Sequence, residues 1–329
     1  MTTTSRRAAL ARSIFLACGA LCTMASAHAQ QAYPSRTITL INPYAAGGPA
    51  DTLARGVAQQ LSAALKQPVI VDSKAGGAAT IGTSFVARAK PDGYTLLIGT
   101  SAGHVVTPLM QRIPYDGIGD FAFISVVANQ PNVLLANPEI GVDNLQGLVA
   151  LAKKEPSKLN YASAGTGGAT HLGAESFLQQ AQIRIAHVPY AGAAPALKDL
   201  LGGQVQLGML SLSASLPFIT DGKLKALAYG GTKRTPLLPN VPTLAEAGFP
   251  GVDSATWYTL AAPKGTPADV VEVLRKAVAG INADPAYQTL LASLGAERMD
   301  LTPAETTAFV QRDKVAMTKL LGSLGMLQK

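Results

Sequence analysis

Runs rich in β-forming residues alternate with helix-period patterns along most of this chain, and that alternation restricts it to an α/β architecture built on a sheet. "TITLINPY" predicts a strand, and "PADTLARGVAQQLSAAL" follows with Leu53, Val57, Leu61 and Leu65 on one helical stripe. "PVIVDS" and the apolar "YTLLIGTS" predict strands on either side of the helical "ATIGTSFVARA", and "HVVTPLMQ" opens another helix. "FAFISVVA" and "PNVLLANP" predict two further strands. A second set begins near Val142, where the helices "NLQGLVALAKKEP", "THLGAESFLQQA" and "APALKDLLGG" interleave with the strands "LNYASAG" and "IAHVPY". "VQLGMLSLS" and "LKALAYGG" come next, "ATWYTLAAP" predicts a long apolar return strand, and helices close the chain. Two α/β sets joined by extended segments predict two lobes with a central ligand cleft. Lobe one takes residues 30–131 plus 255–329, and lobe two takes 132–254.

The first segment, "MTTTSRRAALARSIFLACGALCTMASAHAQ", puts Arg6, Arg7 and Arg12 ahead of a short apolar run and a small-x-small site at Ala27, His28 and Ala29. It predicts a secretory signal peptide over residues 1–29, cleaved near Gln30. Arg6 and Arg7 resemble a twin-arginine signal, but "AALA" lacks the rest of one. The apolar stretch before Cys18 is too short for a lipoprotein signal. Nothing later reaches the roughly 18 uninterrupted apolar residues of a spanning helix.

Both cysteines, Cys18 and Cys22, fall inside the signal, so the exported part is expected to carry no thiol or disulfide chemistry. Removing the three arginines lowers the formal charge from +7 to +4, too mild an excess for nucleic-acid binding. The expected compartment is the periplasm.

Two glycine-rich turns stand between a strand and a helix: "NPYAAGGPADT" and "YASAGTGGATHLGAESF". The first turn of a helix leaves N–H groups unpaired at the positive end of the macrodipole, so each turn is a candidate anion site. Gly47, Gly48, Gly165, Gly167 and Gly168 let a ligand approach the backbone closely. With both turns on one cleft, a small carboxylate would be held largely by amides, with Ser163, Thr166 and Thr170 adding hydroxyl donors. Neither turn has the spacing of a nucleotide fingerprint, and "GGPADT" has no phosphate-loop lysine. A lone turn of this kind equally serves as a plain connector.

"GTSAG", from Gly99 to Gly103, matches a nucleophile elbow and raises a serine esterase with Ser101 as nucleophile and His171 or His187 as base. No histidine follows His187, where such a hydrolase usually carries its base, so Ser101 reads better as a cleft-wall or capping hydroxyl. His104, His171 and His187 show no metal-ligand spacing, and no metal or cofactor is expected. His171, in the first turn of its helix, is open to two readings, ligand donor or loop cap. His187 reads as a buried, satisfied ring. Asp51 favours the helix dipole first and a bridging water second. Trp257 and Tyr258 read as core, and Lys153 with Lys154 as a solvated face.

Together, "INPYAAGGPADTLAR", "GYTLLIGTSAGH", "LNYASAGTGGATHLGAE", "HVPYAGAAPALKDLLGGQVQL", "LKALAYGGTKRTPLLPNVPTLAEAG" and "LAAPKGTP" resemble the Bug-type substrate-binding receptors of tripartite tricarboxylate transporters. The likeness runs in order from about Tyr33 to the C-terminus. It implies a two-lobed receptor of the Venus-flytrap kind, type II-like among periplasmic binding proteins, that closes on a small organic acid and presents it to permease subunits in the membrane. The receptor is expected to be a monomer and not an enzyme.

By the same resemblance Tyr44, Ala46, Gly47, Gly48, Asp51, Ser101 and Ala102 line the cleft from lobe one. Ser163, Gly165, Thr166, Gly167, Thr170, His171, Tyr190 and Ala191 line it from lobe two. Where the family commonly has Asp-Asn after "GGQVQL", this chain has Leu210 and Ser211, which makes that wall less polar and favours an apolar or aromatic carboxylate over an amino acid. A ligand sensor for a signalling partner is a third use of the same fold.

Overall fold

The computed structural model describes residues 33–156 and 158–328. The signal peptide expected over 1–29, with both cysteines, lies outside the described residues. Strands β1 (Ile38–Asn42), β2 (Val69–Ser73) and β3 (Thr95–Thr100) run parallel in the order β2-β1-β3, connected by helices α1 (Pro49–Leu65) and α2 (Thr80–Ala87). A π-helical turn, Ala102–Val106, runs into α3 (Thr107–Met110), and β4 (Phe121–Ala136) follows.

The second α/β set comprises β5 (Asn160–Ser163), β6 (Ala186–Pro189) and β7 (Leu207–Ser211), interleaved with α4 (Leu145–Lys154), α5 (Ala169–Ala181) and α6 (Ala193–Leu201). Helix α7 (Leu212–Thr220) and β8 (Lys225–Tyr229) complete it. The chain returns along β9 (Ala255–Pro263), antiparallel to both β3 and β4, and finishes in α8 (Ala268–Ala283), α9 (Pro285–Ser293) and α10 (Pro303–Ser323).

The two strands expected at "FAFISVVA" and "PNVLLANP" are one strand of 16 residues. Its first part pairs with β9 as far as Pro131↔Ala255; from Asn132 it pairs with β7 and from Val133 with β8. Pro131 has no N–H to give a ladder, and it stands where the partner changes. A proline that looks like a break in the sequence is therefore tolerated inside the strand.

Helix α7 was not apparent as a helix: the apolar "LSASLPFIT" shows no helical stripe and carries Pro217 in its interior. Its start is marked instead by Ser211, whose backbone turns extended (φ −62°, ψ 137°) before the helix.

Burial explains why the register of β4 holds. Leu134 and Ala136 face a core with Leu148, Tyr161, Phe177 and Met209, while Val133 and Leu135 face the opposite core with Leu197, Leu200, Leu210 and Tyr229. A slip of one residue exchanges the two faces. Each large apolar side chain so displaced forfeits on the order of 1.5–3 kcal/mol of burial. The other end of β4 contributes Phe121, Phe123 and Val126 to a third cluster with Ile41, Leu97, Trp257 and Val310. Leu172 of α5 is buried in that third cluster, although its helix belongs to the second α/β set.

The two chain crossings between the halves of the sheet, at Asn132 and at Ser254, are tied together with Gly230 in one knot of backbone bonds. Asn132 N–H donates to Ser254 O (2.7 Å), Ser254 N–H to Gly230 O (2.9 Å) and Gly230 N–H to Asn132 O (2.8 Å). Asn132 Nδ2 adds a bond to Ser254 Oγ (2.9 Å), which in turn donates to Ala169 O (2.9 Å) at the start of α5. A Cβ at Gly230 would lie 2.5 Å from Ser254 O and 3.0 Å from Asn132 O, both backbone atoms. Gly230→Ala is therefore expected to cost about 1–3 kcal/mol of stability by urea denaturation. A variant as stable as the parent would mean that the crossing is loose.

Candidate functional site

The first glycine turn is shaped by its own side chains. Gly47 sits at φ +85°, with open space where a side chain would project. Asp51 Oδ2 accepts from Gly47 N–H (3.0 Å) and from Arg55 Nε (2.9 Å). Burial opposes the charge on Asp51, but the bonds from Arg55 and Gly47 outweigh it and hold the carboxyl below the usual carboxylate range. Its other oxygen, Oδ1, is buried without a partner.

Tyr44 closes the loop from the other side. Its N–H donates to Asn42 Oδ1 (3.2 Å), and its hydroxyl bonds Thr100 Oγ1 (2.8 Å) at the end of β3. Ala46 is left exposed at the tip, and Gly48 caps α1 in an extended conformation ahead of Pro49.

Ser101 and Ala102 follow directly on β3. Ser101 is buried and donates its hydroxyl to Asp313 Oδ2 of α10 (2.7 Å), 212 residues away. Burial raises the Asp313 carboxyl above its ordinary value, and the bond from Ser101 opposes that rise. Among the described residues no histidine completes a triad with Ser101. His104 donates through Nδ1 to Gly117 O (2.6 Å) and lies against Phe121, Phe123 and Trp257, where burial lowers it to about 4. His187 is bonded to Ser163 (2.7 Å) instead.

The second turn is tied down more completely. Gly165 (φ +139°) and Gly167 (φ +77°) supply its backbone reversal. Ser163 is fully buried; its Oγ bonds His187 Nε2 and accepts from Gly165 N–H (3.2 Å). Thr170 Oγ1 accepts from Ala164 N–H (3.1 Å), and His171 Nδ1 accepts from Gly167 N–H (3.1 Å). His171 thus caps the loop through Nδ1, one of the two readings left open by the sequence. Gly168 N–H donates to Gly165 O (3.3 Å), and Tyr190 N–H to Ser163 O (3.1 Å). The Tyr190 hydroxyl goes to Asp199 (2.9 Å), and Ala191 is exposed beside it.

Two of the expected hydroxyl donors, Ser163 and Thr170, are thus engaged in holding the loop. The N–H groups of Thr166, Ala169 and Thr170 have no acceptor among the described residues, and Thr166 is exposed at the tip.

The structure joins Tyr44, Gly47, Gly48 and Asp51 into one set, and Ser163, Gly165, Gly167, Thr170, His171 and Tyr190 into another. No hydrogen bond links the two loops among the described residues. Gly167 instead approaches the segment that follows Ser101 and Ala102: an added Cβ there would lie 3.1 Å from Met110 Sδ and 3.4 Å from Val106 Cγ1. Ser211 ends β7 opposite Asn132, its hydroxyl buried without a partner.

Sequence reasoning missed Asp313 and Met110. Nothing local marks a helix residue 212 positions from its partner. Arg55 was within reach, because it stands four residues after Asp51 on a helix.

The family model for the tripartite tricarboxylate transporter family receptor matches residues 53–326. Protein BugT of Bordetella pertussis is 35% identical over 299 residues, covering 90% of this chain and 91% of that protein. An R. palustris protein solved with adipate is 35% identical at a TM-score of 0.83, covering 89% of this chain and 98% of that one. MatC from Rhodopseudomonas palustris, solved with bound malate, is 30% identical at a TM-score of 0.80, covering 88% and 100%. The chain belongs to the tripartite tricarboxylate transporter receptor family and shares its two-lobed α/β fold. It is a Bug-type periplasmic solute receptor. No helix of the described residues is long and apolar enough to cross a membrane.

Burial holds His104, His171 and His187 each down to about 4, against about 6.5 for an exposed imidazole. A depressed histidine stabilises the fold fully above the unfolded value, and that contribution is lost as pH falls from about 6.5 toward 4. Carbon-detected imidazole titration is expected to find all three rings neutral at pH 5.5 in the folded protein. A ring with a midpoint near 6.5 would remove it from this account.

Proposed function

We propose that the protein is exported by cleavage of residues 1–29 and acts as a monomeric receptor. It holds a small organic carboxylate between a lobe of residues 30–131 plus 255–329 and a lobe of residues 132–254. It then delivers the ligand to the permease subunits of a tripartite tricarboxylate transporter. The change of β4 pairing between Pro131 and Asn132, with β9 beginning at Ala255, supports these lobe boundaries.

The observation that carries the reading is the accounting of main-chain donors. After every internal bond is assigned, the first turn of α5 keeps the Ala169 and Thr170 N–H groups and its loop keeps that of Thr166. The α1 turn keeps those of Ala46 and Gly48, while Gly47 is spent on Asp51. Unpaired amides at two helix starts stabilise a negative group without any lysine, arginine or metal. The adipate and malate held by two relatives are both dicarboxylates.

Ligand binding does no covalent chemistry on this reading. It favours a closed form by its extra affinity for that form, and the closed surface is what the permease reads. The bond from Ser101 to Asp313 leaves that hydroxyl with no imidazole to activate it.

Calorimetry of the mature protein against adipate, malate and their neutral diamides tests the class. Binding of an acid but not of its diamide is expected, with about 2.7 kcal/mol of added stability at a hundredfold excess over Kd. Ala169→Pro tests the donors themselves. Gly168 already has the extended backbone (φ −75°, ψ 165°) that a following proline requires, and the first helical position tolerates proline. This variant is expected to melt within a few degrees of the parent yet to bind about tenfold more weakly, the loss of roughly 1.4 kcal/mol for one hydrogen bond. Unchanged affinity would remove the amide reading. Turnover of a generic ester that disappears in Ser101→Ala would replace it with the esterase.

A further inference from the structure

Beneath the second glycine loop lies a stack of ionisable rings that anion binding does not use. His171 of α5 is stacked on His187 of β6, with centroids 4.1 Å apart and 22° between the planes. His187 is stacked in turn on Tyr161 of β5 at 4.8 Å. The His171 ring is buried, and its bonding fixes its tautomer. Gly167 N–H is a donor, so Nδ1 must present a bare lone pair, and the ring proton sits on Nε2. Nε2 lies 3.9 Å from Glu175 Oε1, one turn further along the helix, and Glu175 also accepts from the Tyr161 hydroxyl.

Only the neutral ring fits this position. Protonation makes Nδ1 a donor facing the Gly167 donor, and the bond that closes the loop cannot form. His187 differs in kind. Its Nε2 faces Ser163 Oγ, a hydroxyl that both donates and accepts, and which also lies 3.2 Å from Gly165 O. When His187 takes a proton, that hydroxyl accepts from the ring and turns its own hydrogen to Gly165 O. The charge on His171 alone is therefore coupled to the loop. The coupling falls at Gly167, the residue that approaches Met110 and Val106 on the opposite wall.

We propose that His171 is a positioning residue: its neutral imidazole latches the Gly165–Gly168 loop, and its protonation releases the loop and weakens the hold on the ligand. The second half of that statement rests on the carboxylate-receptor reading; the first does not.

Burial sets when the latch opens, and the charged groups nearby modify it. Glu175 on the same helix favours the imidazolium, and His187 from β6 opposes a second positive charge beside it. Asp253 precedes Ser254, the residue packed against Gly173 of α5, and Asp313 of α10 senses the Asp253 charge. Burial is the largest influence on both rings and keeps the latch closed at neutral pH, with opening in acid near pH 4.

The test is a pH titration of the ligand-free mature protein, from 7.5 down to 4, following the Gly167 amide and the His171 ring by NMR. The amide is expected to move with the same midpoint as the ring and to lose protection from hydrogen exchange. In His171→Asn the side-chain oxygen accepts at the place of Nδ1 without titrating, so the Gly167 amide should stay in place across the range. In His187→Gln its titration should persist, which keeps the proposal decidable should the Asn variant fold poorly.

A Gly167 amide that stays still while the His171 ring titrates would overturn the proposal, as would equal movement in His171→Asn. In calorimetry with adipate or malate, the Kd of the parent should rise about twofold more than that of His171→Asn on reaching the ring's midpoint, the linkage expected at half protonation. If neither acid binds at pH 7.5, the carboxylate reading fails while the amide titration still decides the latch.

Discussion

The architecture depends on one strand that changes partners. β4 belongs to two hydrogen-bonding ladders in succession, and the change falls between Pro131 and Asn132. Both α/β sets are therefore built on the same stretch of backbone. The return crossing at Ser254 and the neighbouring Gly230 are both bonded to that stretch directly, so the two passages between the halves share one short seam. The sheets on either side of the seam are buried on their own cores, and Leu172 of α5 joins the core of the other half. The side chain of Ser254 extends the seam to Ala169, the first residue of α5. The seam thus reaches the helix start that carries the second glycine turn.

The two glycine turns solve the same problem with different materials. In the first, a buried carboxylate with an arginine at the next turn of the helix fixes Gly47. In the second, a neutral imidazole fixes Gly167 and two hydroxyls fix its neighbours. Each anchor consumes a main-chain donor that a glycine-rich sequence would otherwise seem to offer. The donors left over are fewer than the motif suggests, and they sit at defined places. On the proposed reading, preorganisation of this kind would lower the ordering cost of binding, because the loop is shaped without a ligand.

Much of this was legible in the chain. The strand and helix periods of the first α/β set, the glycine turns and the burial of Trp257 all follow from local pattern, since each is decided by residues within one or two turns of each other. The fusion of two apparent strands into β4 was not legible. A proline normally ends a ladder, and only the change of partner at Pro131 removes that penalty. Helix α7 escaped because its residues are apolar all round and include Pro217, so no stripe marks it. The anchoring of Ser101 by Asp313 escaped for a different reason: it joins the end of β3 to the C-terminal helix, and contacts across that distance leave no periodic trace. The hydroxyls of Ser163 and Thr170 were correctly placed at the loop, yet whether a hydroxyl faces inward or outward is settled by its neighbours in space.

A grip made from the main chain has a genetic consequence. Any substitution but proline leaves an N–H group in place, so the unpaired main-chain donors of Ala46, Gly48, Thr166 and Ala169 are nearly invulnerable to drift in the codons that specify them. A side chain such as Ser211, whose buried hydroxyl has no partner, has no such protection. On the proposed reading, point changes in the side chains would alter which nutrient is held, while the part that recognises acidity is inherited intact.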